Sequence, residues 1–224
     1  MAKVHGVAGE WARVRGSVMG LWPLMIGIAA AGFSLATAIF ASVGCGLVML
    51  VLSGVGVGLT LLRGFRHVER YFKGARGEEK VAGILARLPD TYHVFNDFAC
   101  RSLHVDHVVV GPTGVFAVET KFWKGPVTVD DGHVLVNGRL PSRSPLAQVM
   151  REAEAVRLTL AERGWIGQVT PVVAFAADNF SAHIAEVGTV VLINAGDIAA
   201  SFGVSRTLVA SAEIERLVRL MEME

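Results

Sequence analysis

Three charged side chains, two acidic and one basic, interrupt two valine-rich runs near the middle of the chain. Asp106 lies in the first run, residues 105–110, and Glu119 and Lys121 lie in the second, residues 115–121. The residues between the runs, Gly-Pro-Thr-Gly, are typical of a reversing turn, so the pattern predicts an antiparallel β-hairpin. Two carboxylates and an ammonium group on such a rigid element are suited to binding a divalent cation and acting on a phosphate ester.

The register of this hairpin decides whether the two carboxylates meet. If residues 111–114 form the whole loop, Val110 pairs with Val115 and Asp106 lies opposite Glu119. Directly opposed Cβ atoms lie roughly 4.5–5.5 Å apart, and like charges placed there destabilise a sheet unless a cation neutralises them. We therefore expect Asp106 and Glu119 to be the metal ligands and to share one Mg²⁺ or Mn²⁺ ion.

Lys121 shares a strand face with Glu119 because side chains alternate along a strand. Its ammonium group could orient or deprotonate a water, or stabilise charge that develops on a phosphate. The alternative is a half-exposed Glu119–Lys121 ion pair worth about 0–1 kcal/mol. The catalytic interpretation depends on the assumed register, since a slip of one residue would turn one carboxylate to the other face.

The N-terminal part of the chain is apolar and carries no charge over a long distance. Residues 16–62 include no Asp, Glu, Lys, Arg or His. A bilayer core takes about 20 helical residues per crossing, so this run is long enough for two crossings and too long for one. We predict a transmembrane hairpin with helices at residues 21–41 and 47–62. A buried hairpin of a soluble protein is the disfavoured alternative, because such helices rarely lack charge on every face.

Basic residues flank both ends of the apolar run. Those before it are Lys3, Arg13 and Arg15, and those after it are Arg63, Arg66, Arg70, Lys73 and Arg76. By the positive-inside rule, this pattern predicts a multi-pass protein of the cytoplasmic (inner) membrane with both termini and the soluble domain in the cytoplasm. The same pattern predicts that the segment from Arg63 to Arg76 contacts anionic lipid headgroups.

The composition excludes several other classes of protein. The chain has 21 Lys and Arg against 20 Asp and Glu, so a nucleic acid must be bound by a local basic patch rather than by overall charge. The two cysteines do not indicate a disulfide framework, and no His or Cys cluster has zinc-binding spacing. A serine hydrolase is not indicated either, since there is no Gly-x-Ser-x-Gly elbow.

Beyond residue 76, the hydrophobic pattern alternates between helices and strands. Helical spacing occurs at residues 77–88, 145–163 and 211–223, and strand patterns occur at 92–98, 127–129, 134–136, 169–176 and 189–193 in addition to the valine-rich hairpin. The continuous apolar runs are typical of strands covered on both faces. The order predicts a single α/β domain with a mixed central β-sheet flanked by helices.

Several motifs in this region together resemble the nuclease-related domain, NERD. They are Gly77-Glu78 at a helix start, the runs at residues 105–112 and 114–116, Val-Glu-Thr-Lys at 118–121, Trp-Lys-Gly at 123–125, and Pro-Leu-Ala-Gln at 145–148. The resemblance extends over about residues 77–177, with the motifs in matching order and spacing. It implies a restriction-endonuclease-like core of the PD-(D/E)XK nuclease superfamily and a Mg²⁺-dependent phosphodiesterase activity.

The resemblance also implies two further site residues. Glu78 and Gln148 would complete a catalytic set with Asp106, Glu119 and Lys121. Taken alone, Glu78 could instead favour the positive end of its helix, and Gln148 could be a solvated or a buried hydrogen-bonding residue. Three exposed cations, Lys124, Arg139 and Arg143, are candidates for contacts with substrate phosphates, with plain solubilising charge as their alternative.

These observations predict four segments. Residues 1–20 are expected to form a cytoplasmic N-terminal segment, 21–62 the two transmembrane helices, 63–76 a basic juxtamembrane linker and 77–224 the nuclease-like domain. The expected function is metal-dependent hydrolysis of phosphodiester bonds, in DNA more than in RNA, at the cytoplasmic face.

Two other interpretations differ from this one. The chain could be a catalytically inactive membrane-tethered scaffold that binds nucleic acid or protein. A transport role is disfavoured because the apolar run has no ionisable residue to mark a pathway. Whether the chain is a monomer or an oligomer does not follow from the sequence.

Overall fold

The computed structural model describes residues 1–101, 103–204 and 209–223. These divide into two compact units, one joining Met1–Glu10 to Gly74–Glu224 and the other comprising Trp11–Lys73. In chain order the elements are β1 (Lys3–His5), α1 (Glu10–Phe40), α2 (Val43–Leu85), β2 (His93–Cys100), β3 (Leu103–Gly111), β4 (Gly114–Lys121), β5 (Val127–Asp130), β6 (His133–Val136), α3 (Pro145–Glu162), β7 (Val169–Phe175), β8 (Ile184–Val187), β9 (Val190–Asn194), a 3₁₀ turn (Ala195–Asp197), α4 (Ile198–Val204) and α5 (Ser211–Glu222).

The unit Trp11–Lys73 contains the apolar parts of α1 and α2. Both are long and apolar enough to cross a membrane, and only 11% and 6% of their most apolar windows are buried, which is unlike core helices of a soluble protein. The two predicted apolar helices are therefore confirmed, with the break at Ala41 and Ser42. Hydroxyl groups of Ser34, Thr37 and Thr60 donate to carbonyl oxygens one turn back, as an apolar environment requires.

Helix α2 continues without a break from the apolar run into the first helix of the other unit, ending at Leu85. The prediction for Arg63, Arg66 and Arg70 concerns side chains that lie outside the described residues, so contact with lipid headgroups stays a prediction. Lys73 and Arg76 are within the described helix, half-buried and exposed respectively.

A mixed sheet of seven strands forms the centre of the other unit. Its order is β1-β2-β3-β4-β7-β9-β8, and a separate two-stranded sheet contains β5 and β6. Strand β1 is parallel to β2, and β4, β7 and β9 are parallel to one another, while the remaining neighbours are antiparallel. This arrangement confirms the predicted α/β fold with a mixed central sheet.

Helices cover both faces of the sheet, which accounts for the continuous apolar strands. On one face, Val156 and Leu160 of α3 and Leu217 of α5 pack against Val108 and Val110. On the opposite face, the core consists of the C-terminal part of α2, helix α4 and the strand residues between them, namely Val81, Leu85, Val94, Val109, Val118, Val172, Ile193, Ile198 and Phe202. Strand β4 is therefore central, and its C-terminal end lies between two helical layers.

Three elements were not expected from the sequence. Strand β1 and strand β8 are short edge strands of three and four residues, and α4 is a seven-residue helix. The N-terminal residues pair with the sheet, since Lys3 N donates to Tyr92 O at 2.9 Å and Ala2 N donates to Ala86 O at 3.1 Å. Residues 1–10 thus contribute to the same folded unit as the domain that follows the apolar hairpin.

Candidate active site

The β3–β4 hairpin has the register that the sequence predicted. Val110 pairs with Val115 and His107 pairs with Val118, and continuing this register places Asp106 opposite Glu119. The regular backbone pairing stops at His107. Two residues further along β4, the backbone N–H of Thr120 donates to a side chain of β3 rather than to its backbone: the acceptor is Oδ2 of Asp106, at 2.8 Å. The Asp106 carboxylate is therefore attached directly to strand β4.

Strands β2 and β3 are both irregular at this level. Asp97 has a φ of 52°, and the Asp97–Asp106 position is skipped between the pairs Asn96–His107 and Phe98–Val105. Simple alternation would put Val105 on the face opposite Val108, yet both belong to one core cluster. The break in alternation gives the Asp106 side chain an orientation that a regular strand would not.

Glu119 is the centre of a group of buried carboxyl groups. It is 4% exposed, and its negative charge raises the pKa of each of the three acidic residues around it. Burial, followed by the charges of Glu119 and Glu78, raises the pKa of Asp106 well above its ordinary range, and the Thr120 N–H acts in the opposite direction. Burial, followed by the charges of Glu119 and Asp97, raises the pKa of Glu78 to about 7.

The one ammonium group in this cluster belongs to Lys121. Its Nζ lies 2.5 Å from Oε1 of Glu119 and 2.9 Å from Oε1 of Gln148. The Lys121 side chain is 16% exposed and that of Glu119 is 6% exposed, so this is a largely desolvated ion pair rather than a surface contact. The surface ion-pair alternative for these two residues therefore does not describe the structure.

Helix α3 positions Gln148 because of how the helix begins. Ser144 caps its N-terminus by accepting from Ala147 N at 3.3 Å, and Pro145 occupies the first turn, where a missing N–H costs nothing. With Val149 and Val156 buried, the helix presents Gln148 toward Lys121.

One residue in this group was missed from the sequence. Glu152 lies one helical turn after Gln148, is 5% exposed, and its Oε1 accepts from Gln148 Nε2 at 2.9 Å. Burial, followed by the charge of Glu119, raises its pKa to about 9. The signal that could have identified it is the i, i+4 spacing from Gln148 on an otherwise apolar helix face.

The three candidate phosphate-binding cations lie outside the named helices and strands. Lys124, Arg139 and Arg143 are all exposed. Lys124 and Arg139 flank the open end of the β5–β6 hairpin, where Asn137 donates to the Lys124 carbonyl at 3.2 Å and Arg139 N donates to Val136 O. Arg143 precedes the cap of α3 in the chain. Their proposed contacts with a substrate remain predictions.

The histidines near the site have structural surroundings. His107 is fully buried, its Nδ1 lies 2.8 Å from Asn96 Oδ1, and burial lowers its pKa to about 3. His104 lies 3.3 Å from Asp97 Oδ1 and is 40% exposed, as expected for a histidine at a strand end. Because burial lowers its pKa, His107 contributes no charge to the carboxyl cluster at neutral pH.

The carboxylates of the site can be compared with the ligands that a hard cation such as Mg²⁺ requires. In the described part of the chain, no group of three or more His, Cys, Asp and Glu side chains is arranged to hold a metal ion. Mg²⁺, however, keeps several waters and is commonly bound through one or two carboxylates plus substrate phosphates. Asp106 and Glu119 supply two carboxylates, and burial together with the neighbouring carboxylates raises the pKa of Glu78, Asp106 and Glu152, an effect that a bound cation would oppose. The residues therefore fit a Mg²⁺ ion that completes its shell with water and phosphate.

Comparisons with known proteins agree with this geometry. Residues 73–176 match the family model of the nuclease-related domain. An uncharacterized protein of Bacillus anthracis is 36% identical over 66 residues, which are 27% of this chain and 31% of that protein. The chain thus covers about a third of that relative. No solved structure matches the chain. The matched region includes the hairpin, Glu78, Lys121 and Gln148, so residues 73–176 are similar to the nuclease-related domain, and two long apolar helices precede most of this region.

Proposed function

We propose that this chain is a membrane-anchored, divalent-metal-dependent phosphodiesterase that hydrolyses DNA, with RNA as the alternative substrate, at the cytoplasmic face. The observation that carries the proposal is the Asp106–Glu119–Lys121 group on β3 and β4, in which Glu119 is buried and the other two side chains are half-buried. Structural ion pairs rarely place several carboxyl groups around a single ammonium in a desolvated space, because the arrangement is costly. Such an arrangement is typical of a site that binds a cation and a phosphate.

Asp106 and Glu119 would hold Mg²⁺ or Mn²⁺. When bound, the ion would polarise the phosphoryl oxygen and lower the pKa of a water. The Thr120 N–H keeps the Asp106 carboxylate at the strand, so its orientation is set before substrate arrives.

Lys121 and Glu78 can take part in the proton and charge balance. The Lys121 ammonium, held between Glu119 and Gln148, can stabilise negative charge on a phosphate oxygen. With its pKa near 7, Glu78 can accept a proton from a water and release it again at neutral pH. The exposed Lys124, Arg139 and Arg143 could contact the nucleic-acid backbone beside this group.

The membrane anchor is the second part of the proposal. Because Met1–Glu10 and Gly74–Glu224 form one folded unit, any membrane crossing between them must occur an even number of times. Two apolar helices, α1 and the first part of α2, satisfy this condition. The basic flanks favour the cytoplasm for the folded unit, and its basic juxtamembrane segment would add attraction to anionic lipid.

The proposal is tested with the full chain in detergent micelles. Single- and double-stranded DNA and RNA are incubated with Mg²⁺, with Mn²⁺ or with chelator. We expect cleavage that requires metal and that is lost in Asp106→Asn and Glu119→Gln, while Asp131→Asn in the exposed β5–β6 turn retains it. Nucleic-acid binding without cleavage under any metal condition would favour the scaffold instead.

A further inference from the structure

The hydrogen bonds at the site form a chain whose last member has no assigned role. Lys121 Nζ donates to Gln148 Oε1 at 2.9 Å, and Gln148 Nε2 donates to Glu152 Oε1 at 2.9 Å. Lys121 also contacts Glu119. Glu152 also interacts with the Glu119 side chain and with the charge of Lys121, but the Gln148 amide is the group that hydrogen-bonds to both Glu152 and Lys121.

We infer that Glu152 is a positioning residue: it fixes the direction of the Gln148 amide, and Gln148 in turn fixes Lys121. This inference rests on the proposed function for its catalytic meaning. The geometry itself concerns only the three side chains and their hydrogen bonds.

The amide group of Gln148 has two chemically different ends. One end accepts hydrogen bonds and the other donates them, and the two are nearly equal in size. Lys121 can only donate, so the amide must present its oxygen to Lys121. The amide nitrogen must then find an acceptor on the other side, and Glu152 Oε1 supplies one. Without that acceptor, a flipped amide would point its N–H groups at an ammonium ion.

The burial of Glu152 supports a role beyond filling space. The residue is 5% exposed, and its carboxyl group shares a hydrogen bond with the Glu119 side chain in addition to the one with Gln148. Burial of a carboxyl group is costly, and an apolar side chain of similar volume would avoid that cost. The cost is consistent with a residue retained for the orientation that Oε1 provides.

Two substitutions of Glu152 distinguish the loss of the hydrogen-bond acceptor from the loss of side-chain packing. Glu152→Gln keeps a carbonyl oxygen that can accept from Gln148, whereas Glu152→Met keeps the volume and removes the acceptor. Glu154→Met is the matched control, because Glu154 lies on the same helix but is exposed and bonded to Arg157. Thermal unfolding verifies that each variant folds, and Glu152→Ala replaces the methionine variant if that one does not.

The readout is the rate at which an amine-reactive ester acylates Lys121 in the full chain, measured by mass spectrometry relative to the exposed Lys124. We expect Glu152→Met to raise this ratio roughly tenfold, the factor for losing a hydrogen bond to a charged group. Glu152→Gln and Glu154→Met should match the wild type. A wild-type ratio in Glu152→Met, or an equal rise in Glu152→Gln, would overturn the inference.

Cleavage kinetics give a second readout. Glu152→Met should lower kcat about tenfold with little change in KM, and Glu152→Gln should restore it. In a Gln148→Leu background, Glu152→Met should have no further effect. If the wild-type chain cleaves no nucleic acid, the proposed function fails, while acylation of Lys121 still decides the role of Glu152.

Discussion

The amide oxygen of Gln148 lies 2.9 Å from the ammonium nitrogen of Lys121, so helix α3 and strand β4 are joined by a hydrogen bond inside the candidate site. The two residues are 27 positions apart in the chain. The contact joins strand β4 to a capped helix that packs on one face of the sheet. Rigid elements of this kind hold functional groups more accurately than loops do.

Replacement of Lys121 should remove most of the activity with limited loss of fold. Lys121→Met keeps the aliphatic stem and removes the only ammonium group bonded to Glu119 in the described cluster. We expect the rate of Mg²⁺-dependent cleavage to fall by about 10²–10⁴-fold, the usual contribution of a positioned acid, base or charge. The measurement is kcat on the preferred nucleic acid. Lys124→Met, at an exposed position, should mainly raise KM, and equal losses of kcat in both variants would contradict the assignment.

The metal-free protein should become less stable as the pH rises from 7 to 8.5. Glu152 and Glu78 have pKa values of about 9 and 7 in the folded chain, above the ordinary 4.5, so the folded state binds more protons than the unfolded state. Their stabilisation is complete below pH 4.5 and is lost as the pH rises through those folded values. Glu152 alone should contribute about 2 kcal/mol of this loss between pH 7 and 8.5.

The carboxyl groups and the histidines affect the stability of the fold in different pH ranges. His107 and His93 have lowered pKa values, so they increase stability with rising pH, but only below about 6.5. The measurement is the unfolding midpoint of the full chain in chelator at pH 7 and 8.5. Glu152→Gln should flatten the decline, and Mg²⁺ should reduce it in the wild type. A midpoint that rises over this interval would contradict the assignment.

Gly111 should tolerate no side chain. A Cβ built there would lie 2.1 Å from Cδ1 of Tyr92, whose ring is 3% exposed and whose hydroxyl donates to Phe202 O at 2.6 Å. Because that ring is fixed at both ends, we expect Gly111→Ala to lower the free energy of unfolding by about 1–3 kcal/mol. Gly83→Ala is the control: it lies in helix α2, meets nothing within 4 Å, and should be neutral or stabilising.

Cysteine labelling should reveal the direction of the membrane hairpin. Cys45 is exposed in the first turn of α2, beside the break between the two apolar helices, and Cys100 is buried in the domain. These are the chain's two cysteines. An impermeant maleimide applied to intact cells should label the wild type and leave Cys45→Ser unlabelled. Labelling of the wild type only after the cells are opened would place the hairpin turn inside.

Local sequence patterns were sufficient to predict the β3–β4 hairpin. The two valine-rich runs and the Gly-Pro-Thr-Gly turn between them indicate the register without reference to distant residues, and the Val110–Val115 pair has that register. The apolar helices could be predicted equally well, because charged residues are absent over so long a run. Helix α3 was predicted within a residue at its C-terminal end, since capping and apolar spacing are local signals.

Other features depend on contacts between distant residues. Strand β1 has only three residues, and its pairing partner His93 lies far along the chain, so no local pattern marks it. The role of Glu152 depends on how α3 packs against β4, and a glutamate on a helix is ordinarily solvated. The skipped pair at Asp97 and Asp106 is likewise defined only by the pairing of β2 with β3, so it could not be predicted from either strand alone.

Strand β1 also bears on how a soluble form of this protein should be made. A truncation that starts after the apolar helices discards β1 and leaves the β2 edge with unpaired backbone groups, a surface prone to aggregation. Gly9 and Ala75 lie side by side, since a Cβ on Gly9 would come within 2.9 Å of Ala75. The segment Trp11–Lys73 is therefore inserted between two chain positions that lie side by side in the folded unit. Residues 1–9 could be joined to residue 74 by a short flexible linker, which would excise the hairpin and leave every strand of the sheet in place.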